Sequence, residues 1–129
     1  MDTTYNSHLT THNLLKSAQS AQTALYMVWP SRSRARDFDG VSRSYTNAAA
    51  DGGGLLFPVG DAWRAASKRD PALALYSPDG LRPSREGSYR AALVIVHRAF
   101  GVSAAGLPGP GISPATTRLL RQTAAEIAR

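Results

Sequence analysis

Cysteine is absent from the 129 residues, which excludes disulfides and thiol chemistry and leaves the redox compartment open. Long apolar runs are missing as well: no stretch of the chain approaches the roughly 18 to 20 residues that a membrane-spanning helix needs. The N-terminus, MDTTYNSHLTTHNLL, has no basic region leading into an apolar core. No signal peptide is therefore expected, and a cytoplasmic location is the default. Lysine is scarce, since of 15 basic residues only Lys16 and Lys68 are lysines, which leaves 13 arginines. What remains is balanced, with 43% hydrophobic and 19% charged residues, so the chain has the composition of one globular domain and not of a disordered segment.

The net charge of +6 raises the question of an anionic partner. The densest cationic cluster is Arg32, Arg34 and Arg36, alternating in SRSRARD. A nucleic-acid footprint has this charge, but no aromatic side chain is interleaved with the arginines and no known nucleic-acid-binding motif accompanies them. The cluster reads as a solvated loop, and nucleic acid is not the expected partner.

In chain order, THNLLKSAQSAQ from Thr10 to Gln22 places Leu14, Leu15, Ala18 and Ala21 at helical spacing. His8 and His12 are four apart, but two imidazoles with no further ligand nearby do not complete a metal site, and no metal or cofactor is expected. Thr23 to Trp29, TALYMVW, is an apolar run closed by Pro30 that reads as a strand buried on both sides. A helix is predicted from about Phe38 to Ala50, with Asp37 or Asp39 as its cap and Val41, Tyr45 and Ala48 or Ala49 on one face; Asp51-Gly52-Gly53-Gly54 ends it. Leu55 to Val59 is a second strand, with Pro58 pushing it toward an edge or a strand end. Asp61 to Lys68 forms a turn or two of helix anchored by Trp63. This alternation of strand and helix argues for an α/β domain with parallel strands.

Ser77-Pro78-Asp79-Gly80 is turn chemistry: Pro fixes φ, Asp bonds its own backbone and Gly accepts positive φ. Pro83-Ser84 then starts a helix capped by Ser84. Tyr89, Leu93, Val96 and Phe100 share one face of it, while Ala91, Ala92, Val94 and Ile95 make the other nearly as apolar, so the helix is expected to be mostly buried and to stop at Gly101. A Gly/Pro-rich linker, GLPGPGISP, leads to a closing helix capped by Ser113, with Leu120, Ala124 and Ile127 on its face.

The block Asp79-Gly80-Leu81-Arg82-Pro83-Ser84, followed by Gly87-Ser88-Tyr89, resembles the last conserved block of the SGNH/GDSL hydrolases, D-x-x-H-P and then G-x-Y. ALYMVWP, FPVGDAW and LYSPDG extend the resemblance over about residues 14–107, with 1–13 as a flexible N-terminal segment and 108–129 as linker and closing helix. It implies a partial three-layer α/β/α fold equivalent to the C-terminal part of such an enzyme, whose chemistry is ester or acyl hydrolysis. It places the family acid at Asp79, puts Arg82 where the family has its catalytic His, and offers Trp63 as a residue lining a ligand pocket. The nucleophile block and the Gly and Asn oxyanion blocks are not found; the pair Gly60-Asp61 is followed by Ala62, not Ser. A guanidinium cannot act as general base, and His97, inside an apolar helix, reads as structural and not as a displaced base. The expectation is a chain without esterase activity of its own, covering its sheet edge by self-association or against an upstream half of the fold. The alternative is a non-catalytic domain that binds an anionic ligand, nucleic acid or a protein partner.

Overall fold

A computed structural model describes residues 22–103 and 106–127 of the chain. The helix predicted from Thr10, the flexible segment 1–13 and the pair His8 and His12 lie outside the described residues but for Gln22.

β1 (Ala24–Tyr26) and β2 (Leu55–Phe57) form a two-stranded parallel sheet in the register Ala24↔Leu55, Leu25↔Leu56, Tyr26↔Phe57. A parallel pair needs a crossover, and it is supplied by a 3-10 turn over Arg32–Asp37 followed by α1 (Phe38–Gly52). The α/β class with parallel strands is thus observed. The expectation that the first strand is buried on both sides is not. Ala24, Tyr26 and Val28 are exposed while Met27 is fully buried and Leu25 and Trp29 are partly so, a period of two along the strand. Among the described residues only one face of β1 is covered by packed side chains, and an uninterrupted apolar run in the sequence conceals that.

α2 (Val59–Arg69) begins two residues earlier than predicted because Pro58 closes β2 and stands at the helix N-terminus. Its start is seated on the end of β1: Gly60 N donates to Met27 O at 3.0 Å, and a Cβ on Gly60 would overlap Val28 O. α3 (Arg85–Phe100) and α4 (Pro114–Ile127) complete the order. α2 packs against α1, α3 and α4, α3 also packs on β2, and α4 closes over α2 and α3. Trp63, Leu93, Leu120 and Ala124 meet in the resulting core.

The caps follow the sequence in most places. Ser84 Oγ accepts from Gly87 N at 3.1 Å and Ser113 Oγ from Thr116 N at 3.2 Å, while Gly53 and Gly101 take left-handed conformations at the ends of α1 and α3. The start of α1 differs: neither Asp37 nor Asp39 caps it. Asp37 pairs instead with Arg34 at 2.5 Å and Asp39 with Arg64 at 2.6 Å, so charge pairing takes the carboxylates. The end of α3 also departs from expectation. Phe100 is 73% exposed and Ala92 lies at the surface, because α2, α4 and β2 cover only part of the helix circumference.

Candidate functional site

The segment 77–84 folds back on itself. Gly80 N donates to Ser77 O at 2.9 Å, Ser77 N to Arg82 O at 2.8 Å, and Gly80 has φ +72°. Asp79 Oδ1 accepts from the amides of both Leu81 and Arg82 at 2.9 Å. Those two amides, first Leu81 and then Arg82, hold the Asp79 carboxyl below its ordinary range, and the guanidinia of Arg82 and Arg32 act in the same sense. Asp79 Oδ2 lies 3.5 Å from Arg82 Nε, whose side chain is 84% exposed. Sequence reasoning named Asp79 and Arg82, and the fold brings them together.

The hydroxyls of the turn are committed to its backbone. Ser77 Oγ donates to Pro83 O at 2.8 Å, and Ser84 Oγ donates to Ala74 O at 2.6 Å while capping α3. Behind the turn stands an aromatic corner. The rings of Trp29 and Trp63 stack at 4.0 Å, and Tyr76 meets Trp63 edge-on at 4.9 Å. Trp29 Nε1 donates to Leu81 O at 2.9 Å and Tyr76 Oη to Pro30 O at 2.7 Å, which tie the turn to the segment after β1. The Arg32 guanidinium lies 5.2 Å from the Tyr76 ring centre. Burial raises the Tyr76 pKa, with the Trp63 indole and Arg32 opposing it.

Trp63 has no exposed surface, and its Nε1 has no hydrogen-bond partner within the described residues. Gly87, the first residue of the G-x-Y motif, makes room for it: a Cβ there would come within 2.7 Å of Trp63 Cη2 and closer still to Leu75 O. The glycine therefore sets the distance between α3 and the indole. Among the described residues His97 is the only histidine. It lies 13 residues beyond Ser84 along α3, a rise of about 20 Å, with its Nδ1 buried and unpartnered. It does not meet Asp79.

Arg90 was missed by sequence reasoning. It is fully buried at the junction of three helices, where Nε and Nη2 donate to Ala62 O of α2 and Nη1 to Leu120 O of α4. Burial lowers its pKa from the ordinary guanidinium range to about 9, with Glu126 opposing the shift. An arginine satisfied by carbonyls of other helices leaves no signal in its own neighbourhood of the sequence; the hint was a cation on the buried face of α3.

Two open hollows flank the loop that leads into α4. One, of about 520 Å³, lies between Arg85, Tyr89 and Gly111; the other, of about 550 Å³, is walled by Ile112 and Pro114 and floored by Thr117, Arg118 and Arg121. No group of three or more acidic, histidine or cysteine side chains among the described residues could hold a metal ion.

No protein-family model and no curated protein matches the sequence. The fold is similar to the crystal structure of a DUF4886 family protein from Bacteroides uniformis, with a TM-score of 0.79 at 16% identity over 95% of this chain. That likeness is one of fold, and the chain spans 56% of the length of that protein.

Proposed function

We propose that the chain is an SGNH/GDSL hydrolase-like domain, equivalent to the C-terminal part of that fold, and that it does not hydrolyse esters by itself. One observation carries the reading: both oxygens of Asp79 face donors of its own turn, Oδ1 the Leu81 and Arg82 amides and Oδ2 the Arg82 guanidinium. An orienting carboxylate acts by holding an imidazole, and the position three residues on carries a cation that cannot accept a proton. The resemblance supplies the ancestral chemistry, and the arrangement of Asp79 supplies the reason it is silent.

The test is turnover of a short-chain nitrophenyl ester by the purified chain and by its Arg82→His variant. Neither is expected to exceed a heat-inactivated control, because groups that act as a unit are not restored singly. Turnover by the single variant would mean that a serine is already poised beside the turn.

A second reading concerns partners. Each strand of the sheet has one edge without a strand beside it among the described residues, and Tyr26 and Val28 are exposed along β1, with Leu81 exposed nearby at the turn that Trp29 holds. Such an edge favours pairing with a further strand. Sedimentation velocity at micromolar concentration is expected to show self-association, and a compact monomer that binds no hydrophobic dye would refute it.

A further inference from the structure

The groove on α4 has what the Asp79 turn lacks, polar groups with no partner. Thr117 lines the groove, and among the described residues its hydroxyl makes no hydrogen bond and is open to solvent. Thr123 of the same helix, by contrast, spends its hydroxyl on the backbone by donating to Leu119 O at 2.9 Å. Arg118, one residue on, has no ion pair or hydrogen bond among the described residues. Arg121 is fixed: Nε donates to Tyr89 Oη at 3.0 Å and Nη2 to Leu107 O, leaving Nη1 without a protein acceptor. Tyr89 Oη is itself anchored, donating to Leu107 O at 2.6 Å.

No acidic side chain lines this groove. Two arginines and a threonine thus line one groove, Thr117 and Arg121 being four apart on one face of the helix. The first turn of α4 adds the positive end of its dipole in the same place. Arginine presents its donors in a planar fork that suits the oxygens of a dianion, and the whole fork of Arg118, the Nη1 of Arg121 and the Thr117 hydroxyl are left to a ligand. Ile112 and Pro114 form an apolar wall beside them.

We propose that this groove binds the phosphate of a small phosphate monoester, with Arg118, Arg121 and Thr117 on the phosphate oxygens and Ile112 and Pro114 against the organic part. The site is separate from the Asp79 turn and does not depend on how that turn is read.

The test titrates isotopically labelled protein with phenyl phosphate, inorganic phosphate and sodium chloride at matched ionic strength, following backbone and arginine resonances. Saturable shifts centred on residues 112–121 are expected with phenyl phosphate, and weaker ones with inorganic phosphate. Arg118→Gln, an exposed position, should weaken binding roughly tenfold, and the isosteric Thr117→Val about threefold. Arg85→Gln, which alters the neighbouring hollow, should leave it unchanged. Shifts that sodium chloride reproduces, equal losses in Arg85→Gln and Arg118→Gln, or no saturation at millimolar phenyl phosphate would each overturn the proposal.

Discussion

The turn at residues 77–84 and the groove on α4 are made of the same parts, an arginine, a hydroxyl and the first turn of a helix, and they differ in what is left unbonded. In the turn, Ser77, Asp79 and Ser84 spend their side chains on the backbone around them. In the groove, Thr117 and Arg118 spend theirs on nothing within the described residues. Satisfied polar atoms hold a chain in place, and unsatisfied ones are available to a ligand. A turn rich in polar side chains can therefore serve as architecture, while the polar groups left unbonded lie on another helix.

The most damaging way to break this comparison is to unseat the turn from the core. Gly87→Ala pushes a methyl into Leu75 O and the Trp63 ring, and a loss of about 3 kcal/mol is expected in chemical denaturation. Trp63 fluorescence should change with it.

Removing the support common to both regions comes next. Arg90→Ala empties the junction of α2, α3 and α4 and is expected to cost about 3 kcal/mol, whereas Arg90→Met keeps the volume, buries no charge and should be close to neutral or stabilising. The pH dependence follows from the lowered pKa. The folded state holds the Arg90 proton less tightly than the unfolded chain does, so its burial penalty is present in full below about pH 9 and is relieved as pH rises above that value. The advantage of Arg90→Met over the parent should accordingly shrink between neutral pH and pH 10 in urea melts.

The smallest effect sharpens the turn itself. Asp79→Ala removes the acceptor for the Leu81 and Arg82 amides and should lower the melting temperature slightly, while Asp79→Asn keeps an acceptor and should fall between it and the parent. Because the folded carboxyl lies below its ordinary value of 3.8, this contribution is present above that pH and is lost as pH falls through the folded value. The gap between parent and Asp79→Ala should therefore close in acid.

Much of this architecture was legible because it is local. Ser84, Ser113, Gly80 and Gly101 act within four residues of themselves, so their types and spacing suffice. The run TALYMVW hides its one-sided burial for a physical reason: its exposed members Ala24, Tyr26 and Val28 are apolar, and exposure that is not polar leaves no alternation to read. Arg90 was hidden because its partners, Ala62 and Leu120, are 28 and 30 residues away and are backbone atoms, which carry no residue type. The groove was hidden in another way. Thr117, Arg118 and Arg121 look like the solvated face of an amphipathic helix, and only the loop through Ile112 turns part of that face into a wall.

The claim that the Asp79 turn is architecture and not an acid–base device is tested most directly by intact mass spectrometry after prolonged exposure to a fluorophosphonate, which reports an activated serine whatever its substrate. An unmodified mass is expected for the parent chain and for Arg82→His alike. A single stoichiometric adduct on any serine, abolished by Asp79→Ala in protein that remains folded, would contradict it.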